Sequence, residues 1–354
     1  MTSPNIAIVG AGIGGLACAR TLQQHGRSVT VFEREASPRS RWQGGMLDLH
    51  VDTGQAALRA ANLFEEFSAV ARPEGQEMRG LDPYTGALIH HELPVEGAGN
   101  APEIDRGQLR DLFLDALAPD TIRWGHPVTS ADALTEDFDL VIGADGTWSR
   151  IRPALSTATP IYTGDLLVET FLDADRHPEV ALMVGNGTLA AKSGRLMLSA
   201  QRNSRGHIRV YAGLPAPADS RVDLLEVFEG WHDGLLDLIR QADGDFVNRP
   251  LYVLPVGHRW DHVPGVTLLG DAAHLMPPYG IGANLAMLDG TDLATAIISH
   301  DDLDAAVRSY ENLMLPRARA AAEACAELTA TLVADTVVDV ESARHHLNDR
   351  IQRA

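Results

Sequence analysis

The sequence contains 354 residues, of which 45% are hydrophobic, and this size suits one large domain or two unequal ones. Acidic residues outnumber basic residues 48 to 29, giving a formal net charge of -19, so repulsion from phosphate argues against nucleic acid as a partner. The two cysteines, Cys18 and Cys325, form no Cys-x-x-Cys motif, which favours a reducing compartment. No apolar run approaches the roughly 20 residues of a membrane helix, and no export-signal pattern opens the chain. We therefore expect a cytoplasmic protein without stable membrane association.

The first 33 residues alternate between strand and helix patterns. Residues 6–9 are apolar, residues 16–25 favour a helix, and residues 29–32 return to β-branched and aromatic character. Two further short apolar runs, residues 139–143 and 266–269, lack polar alternation, as is typical of parallel strands buried on both faces. The pattern predicts an α/β fold built on a doubly wound parallel sheet.

A different pattern interrupts this arrangement. Residues 79–93 favour a hairpin around an Asp-Pro-Tyr-Thr-Gly turn, and residues 160–213 contain short strands separated by glycine-containing turns. We interpret these segments as an antiparallel sheet inserted into the first domain. Residues 303–334 predict a helix that Pro316 should kink or break, and Arg317 and Arg319 are expected on its solvated face.

The turn after the first strand reads Gly-Ala-Gly-Ile-Gly-Gly and matches the G-x-G-x-x-G pattern. Gly10 would make the tight turn, Gly12 would let the backbone approach a pyrophosphate, and Gly15 would let helix and strand pack closely. Glu33 ends the second strand, where a carboxylate accepts hydrogen bonds from ribose hydroxyls, and we place Arg34 in the same cofactor-binding set. A merely glycine-rich turn is the alternative, but strand, turn, helix and acid occur in register. The motif alone does not separate FAD from NAD.

A second candidate nucleotide site lies late in the chain. Asp271 follows an apolar strand and can bind ribityl hydroxyls, while Pro278 lies in the loop that leads to the next helix. The helix start at Gly282, Ala283 and Asn284 can present N–H groups to the isoalloxazine carbonyls. An ordinary NAD dehydrogenase has no need for such a site, so the combination favours FAD, held at both ends.

Three segments together resemble the fingerprints of class A flavoprotein aromatic hydroxylases in order and spacing: the N-terminal GAGIGG, residues 143–150 (GADGTWSR) and residues 270–278 (GDAAHLMPP). Residues 44–50, 102–110 and 274–278 are also similar to the tetracycline-inactivating flavin monooxygenases.

The resemblance implies FAD contacts by Asp48, Arg106 and Asp271, and an NADPH contact by Arg41. We add Asp145 to the cofactor-binding residues, although an Asp-Gly pair is also common in simple turns. His274 is interpreted as a structural histidine without a catalytic role.

The tetracycline enzymes line their substrate pocket with polar residues of the inserted sheet. A tentative alignment places Glu169, Thr188 and Arg209 at those positions, and we choose Glu169 and Arg209 as substrate contacts. An ion pair between these two residues without a role in binding is the alternative. These residues differ from the Gln, Arg and His of the tetracycline enzymes, so tetracycline itself is not the expected substrate. The loop after Pro278 is one residue shorter than in those enzymes and reads Gly-Ile-Gly where the family usually has Gly-Gln-Gly, so we expect the mobility of the flavin to differ.

The resemblance implies an FAD-dependent monooxygenase that uses NADPH or NADH and O2 to hydroxylate a small aromatic or polycyclic substrate through a flavin C4a-hydroperoxide. No catalytic side chain and no metal are expected, because the cofactor carries the chemistry. The alternatives are a flavin-dependent dehydrogenase or halogenase, an NAD-only dehydrogenase, and a non-catalytic flavoprotein that sequesters a ligand. We expect an FAD-binding domain of residues 1–72, 95–157 and 255–302, a substrate domain of residues 73–94 and 158–254, and a C-terminal bridging helical segment of residues 303–354.

Overall fold

The computed structural model describes residues 4–40, 44–94 and 101–334. The strands of these residues are β1 Ile6–Val9, β2 Val29–Glu33, β3 Met46–Asp48, β4 Met78–Leu81, β5 Leu88–Glu92, β6 Glu103–Asp105, β7 Ile122–Trp124, β8 Leu140–Gly143, β9 Ile161–Asp173, β10 Thr188–Ser193, β11 Leu196–Arg202, β12 His207–Pro215, β13 Val247–Val253 and β14 Val266–Leu268. Their helices are α1 Ile13–Gln24, α2 Gly54–Ala60, α3 Phe64–Val70, α4 Arg106–Ala116, α5 Pro178–Val184, α6 Leu224–Val227, α7 Asp233–Arg240, α8 Asp271–His274, α9 Gly282–Ser299 and α10 Leu303–Ala334. None of these described helices combines the length and apolar character that a bilayer-spanning segment requires.

The predicted parallel sheet is confirmed. Its strand order is β14-β8-β1-β2-β7, and each neighbouring pair is parallel. All of β1 and β8 is buried, which explains why their sequences show no polar alternation. The chain thus forms the α/β core that the first and last apolar runs predicted.

Helices α1 and α9 approach each other unusually closely. A Cβ atom on Gly14 would lie 2.6 Å from the carbonyl oxygen of Ala286, and one on Gly290 would lie 2.3 Å from the carbonyl oxygen of Gly14. Only glycine fits such a backbone-to-backbone contact. The contact holds the glycine-rich turn before α1 and the start of α9 in one rigid unit, although about 270 residues separate them in sequence.

The second sheet contains seven strands in the order β13-β9-β12-β11-β10-β4-β5. The predicted 79–93 hairpin is β4 and β5. Strands β10, β11 and β12 form an antiparallel meander, and β9 pairs antiparallel with β12. The sheet is antiparallel as predicted except at one pair, because β10 and β4 run parallel. The β4–β5 hairpin comes from a distant part of the chain, so no tight turn forces it to join β10 antiparallel.

The two faces of the second sheet differ in character. Alternate side chains such as Val168, Ala200 and Val210 pack with α5, α6 and α7 into a separate apolar core. Because side chains alternate along a strand, Glu169 and Arg209 lie on the opposite face. This polar face is the one that meets the rest of the molecule at Gly45.

Helix α10 runs without interruption through Pro316, so of the two expected effects, a kink or a break, the break does not occur. Tyr310 and Met314 before the proline and Ala318 after it are buried in the main core, and this packing supports the helix across the missing hydrogen bond. Farther along, Lys192 of the second sheet donates to the Leu332 carbonyl at 2.6 Å. The predicted bridging role of the helix is therefore confirmed.

The prediction of a solvated Arg317 is also wrong. Its side chain is 12% exposed and forms ion pairs with Asp289 at 2.9 Å and Asp292 at 2.8 Å, both on α9. Arg319 is solvated as expected and pairs with Glu323. Alanines surround both arginines in the sequence, so the local pattern does not reveal which one faces the acidic side of α9.

Candidate active site

The glycine-rich turn contains two kinds of glycine. Gly10 has φ 111°, and a Cβ atom there would lie 2.3 Å from the Ala144 carbonyl oxygen, so the fold itself requires glycine. Gly12 is different, because a Cβ atom would meet only that oxygen, at 3.9 Å. Its missing side chain leaves open space at the N-terminus of α1, where backbone N–H groups favour an anion.

Glu33 lies at the edge of this turn. Its Oε2 accepts a hydrogen bond from the Ala11 N–H at 2.8 Å, and its Oε1 accepts one from the Glu35 N–H at 2.9 Å. These bonds fix the buried carboxylate, and each oxygen keeps a second lone pair for a hydroxyl. Arg34 is exposed beside it in sequence.

Arg110 was missed by the sequence analysis. Its Nε donates to the Ala11 carbonyl at 3.2 Å, and another guanidinium nitrogen donates to the Pro38 carbonyl at 2.7 Å. The side chain is buried and joins α4 to the glycine-rich turn. A lone arginine inside an amphipathic helix gives no sequence signal of this role.

The turn after β8 is more than a simple reversal. Asp145 Oδ2 accepts a hydrogen bond from the Arg150 N–H at 2.6 Å, as the turn interpretation requires. Its Oδ1 is buried and has no partner among the described residues. A buried carboxylate oxygen without a donor is costly, so this atom is suited to accept a hydrogen bond from a bound group.

The second nucleotide segment presents donors and an acid at helix starts. Asp271 is exposed at the first position of α8, directly after Gly270, whose φ is 58°. Helix α9 begins at Gly282, and the Leu285 N–H bonds back to the Ile281 carbonyl at 2.9 Å. The preceding N–H groups, including those of Ala283 and Asn284, have no partner within the helix by geometry. Pro278 is exposed in the loop that leads to this helix.

The Asn284 side chain has a different role from its backbone. It is buried, its Oδ1 accepts from the N–H groups of His50 at 3.0 Å and Gly54 at 3.2 Å, and its Nδ2 donates to the Asp48 carbonyl at 2.7 Å. These bonds use its amide fully, so its N–H alone is left for a cofactor. The side chain instead fixes the segment around Asp48, whose carboxylate contacts His50 Nε2 at 3.0 Å.

The structure brings the sequence-predicted substrate residues together on the polar face. Thr188 pairs across the sheet with Gln201, and Gln201 pairs with Arg209, so the three form one row over β10, β11 and β12. Glu169 lies opposite Tyr211 on the neighbouring strands. The terminal guanidinium of Arg209 donates to Glu169 Oε2 at 3.0 Å.

Two further residues of this face, Tyr211 and Gln201, were missed by the sequence analysis. A Cβ atom on Gly45 would lie 2.2 Å from the Tyr211 Oη and 2.7 Å from the Gln201 Oε1, so the backbone before β3 touches the sheet here. Burial, reinforced by the nearby Glu169, raises the pKa of Tyr211 to about 12. The hydroxyl is therefore neutral at physiological pH and can donate a hydrogen bond.

The same contact brings Arg106 close to the sheet. Arg106 is the first residue of α4, and its N–H donates to the Gly45 carbonyl at 3.0 Å. Its charge opposes the rise in the Tyr211 pKa that burial causes. Arg41 lies outside the described residues.

Comparison with known proteins of related sequence shows the family to which this chain belongs. A model of an NAD(P)-binding Rossmann-like domain matches residues 8–69, and a model of an FAD binding domain matches residues 257–324. Monooxygenase asqM of Emericella nidulans is 31% identical over an alignment that covers 90% of this chain and 93% of that protein. The chain belongs to the FAD-dependent monooxygenases.

Solved structures show the same fold as this monooxygenase. HpxO of Klebsiella pneumoniae, complexed with FAD and uric acid, has a TM-score of 0.78 at 23% identity and covers 99% of this chain and 93% of its own. Tetracycline destructase Tet(55) has a TM-score of 0.75 at 19% identity, covering 100% and 97%. The predicted fold class, including the inserted sheet, is confirmed.

Three features of this monooxygenase's own structure show that the site suits FAD. The open space at Gly12 suits a pyrophosphate, and the unpartnered Asp145 Oδ1 suits a hydroxyl or amide donor. The close packing of α1 on α9 holds both nucleotide segments at fixed positions, as a cofactor bound at both ends requires.

Proposed function

We propose that this protein uses NADPH or NADH with O2 to hydroxylate a small aromatic or polycyclic substrate held against the polar face of the second sheet. The observation that supports this proposal most directly is a row of polar side chains where that face meets the Gly45 backbone. The row consists of Thr188, Gln201 and Arg209, with Tyr211 and Glu169 beside it. Relatives of known activity include FAD-dependent urate hydroxylase of Klebsiella pneumoniae at 28% identity and 3-amino-4-hydroxybenzoate 2-monooxygenase PtnB3 of Streptomyces platensis at 30%. Both names describe hydroxylation of ring compounds.

The proposed FAD-binding residues follow the two nucleotide segments and the resemblance. When bound, FAD supplies electron transfer from the nicotinamide and activation of O2. The protein's part is to bind the cofactor through Gly10, Gly12, Gly15, Glu33, Arg34, Asp48, Arg106, Asp145, Asp271, Pro278, Gly282, Ala283 and Asn284. Arg41 is proposed for the nicotinamide nucleotide.

The polar face would orient the substrate. Arg209 is 8% exposed, and Glu169 is shared between Arg209 at 3.0 Å and Arg249 at 3.3 Å. One carboxylate thus serves two guanidinium groups, so this part of the face keeps a net positive charge. Arg209 and the neutral Tyr211 hydroxyl offer donors to ring oxygens or carbonyls. A fixed substrate pose is what efficient oxygen transfer requires.

The division of labour between two domains is proposed with the boundaries given above. Two separate apolar cores support it, since one of them packs around the parallel sheet and the other beneath the second sheet. A cytoplasmic location is part of the same proposal, and Cys18 and Cys325 are both buried free thiols, as suits a reducing compartment.

A panel of phenols and fused-ring compounds tests the proposal. NADPH and NADH consumption would be measured with each compound, followed by mass spectrometry for the gain of one oxygen atom. We expect at least one ring compound to accelerate consumption and yield an oxygenated product. A ligand that binds tightly without accelerating consumption would favour the alternative of a non-catalytic flavoprotein.

A further inference from the structure

A buried network of charged side chains joins helix α10 to residues 270–274, the segment that contains Asp271. Arg317 of α10 contacts Asp289 Oδ1 at 2.9 Å, and Asp289 Oδ2 contacts His274 Nε2 at 2.5 Å. Asp289 is 1% exposed, and its Oδ2 also accepts from the Gly270 N–H at 3.0 Å. One carboxylate oxygen therefore holds both ends of residues 270–274.

We propose that Asp289 is a positioning residue for FAD, acting through Asp271. Asp271 lies between the two anchored ends, and its side chain is exposed while its neighbours Ala272 and Ala273 are buried. With Gly270 and His274 both fixed, this short segment has little freedom to turn Asp271 away from the cofactor. The inference rests on the proposed contact between Asp271 and FAD.

The side chains of this network stabilise one another in their charged forms. Burial favours a neutral His274, but Asp289 and, more weakly, Asp271 raise its pKa above the ordinary value. Burial likewise opposes a charged Asp289, yet His274 and Arg317 lower its pKa. Asp292 is the other carboxylate that faces Arg317, at 2.8 Å. Each buried charge has an opposite partner, so removal of one leaves another uncompensated.

A second histidine, which is partly buried, provides a control. His262 contacts Asp304 and Glu311 of the same helix α10, each at 2.7 Å. Glu311 also accepts from Trp260 Nε1 at 2.9 Å and from the Thr267 hydroxyl at 2.8 Å. This cluster thus ties α10 to the same domain, but it anchors neither end of residues 270–274.

The first experiment compares H274Q with H262Q. FAD affinity would be measured by titrating deflavinated protein and following flavin fluorescence, and thermal unfolding would be measured in parallel. We expect both variants to unfold at lower temperature, whereas H274Q alone weakens FAD binding, by roughly tenfold or more for the loss of a buried anchor. Equal FAD affinity in H274Q and the wild type would overturn the inference, and so would equal weakening in H262Q.

A double-mutant cycle tests the route through Asp271. D271A, D289N and the double variant D271A/D289N would be compared by FAD dissociation constant. If Asp289 acts through Asp271, D289N weakens binding in the wild type but adds little to D271A. Additive effects would show that Asp289 acts independently and would overturn the inference. Unchanged affinity in D271A would instead remove the proposed FAD contact itself, so the two failures are distinguishable.

Discussion

Arg209 and Glu169 form a nearly buried ion pair of 3.0 Å on the face of the second sheet that contacts the Gly45 backbone. The alternative, an ion pair between these two residues without a role in binding, includes this same contact, so the two interpretations differ in their kinetics. If Arg209 orients the substrate, R209A should uncouple the enzyme, since a misplaced ring misses the reactive oxygen. We expect NAD(P)H consumption to persist, hydrogen peroxide to rise, and product per NAD(P)H to fall.

R195A is the matched control for R209A. Arg195 also pairs with a residue of β9, Asp165 at 2.6 Å, but both side chains are substantially exposed. An exposed pair contributes only about 0 to 1 kcal/mol to stability. R195A should leave the ratio of product to NAD(P)H unchanged. Equal ratios in R209A and R195A would make Arg209 a structural residue.

G12V tests the pyrophosphate site. A side chain here meets no described atom closer than 3.9 Å at its Cβ, so the protein should fold with little loss of stability. The valine would occupy the space required by the pyrophosphate, and we expect the variant to purify with little flavin. G10A makes the contrast, because its Cβ would lie 2.3 Å from the Ala144 carbonyl oxygen and should destabilise the fold itself. Normal flavin content in G12V would refute the phosphate assignment.

G45A tests the contact between the Gly45 backbone and the polar face. Its Cβ would lie 2.2 Å from the Tyr211 Oη and 3.4 Å from the ring carbon that carries this hydroxyl. We expect a loss of roughly 1 to 3 kcal/mol in the free energy of unfolding, as is typical of overpacking. The Y211F change removes the clashing oxygen and should restore part of that loss in the double variant G45A/Y211F. Strictly additive effects in urea unfolding would contradict this packing.

Glu77 gives a prediction about pH. Its buried carboxylate contacts Arg79 at 2.7 Å and His91 at 2.9 Å, and it accepts from the Asn186 N–H at 2.8 Å. Burial raises the pKa of Glu77, but these hydrogen bonds outweigh it and lower the pKa from 4.5 to about 2. Because the folded-state value is the lower one, the stabilisation is present above pH 4.5 and is lost as pH falls toward about 2.

E77Q should therefore be less stable than the wild type near neutral pH, by roughly 1 to 3 kcal/mol. The difference should shrink as the pH falls through the window just given. Urea unfolding of both proteins over a series of pH values measures it. A gap that stays constant with pH would show that the ionised form of Glu77 is not what stabilises this part of the sheet.

The parts of the site that depend on local sequence could be predicted. The glycine-rich turn, the acid at the end of β2 and the late Asp271 segment each combine a motif with a strand or helix boundary within a few residues. The Asp145 turn was also predicted, although only the structure reveals its unpartnered Oδ1. Local motifs of this kind carry their own geometry.

The parts of the site that depend on packing between distant segments could not be predicted from the sequence. Strand register and the approach of Gly45 bring Tyr211 and Gln201 into the candidate site. Arg317 was assigned to solvent because its burial is decided by the acidic side of α9. Asn284 was assigned to the cofactor through its backbone N–H, and the role of its side chain in fixing the segment around Asp48 was not predicted.

Oxygen labelling tests the central claim, that this chain is an FAD-dependent monooxygenase acting on a ring compound. The FAD-loaded protein would be supplied with NAD(P)H, an active compound from the panel and isotopically labelled O2, and the product analysed by mass spectrometry. The account predicts that flavin remains bound, that the compound accelerates NAD(P)H consumption, and that each product molecule carries one labelled oxygen atom. Product oxygen derived from water would contradict it.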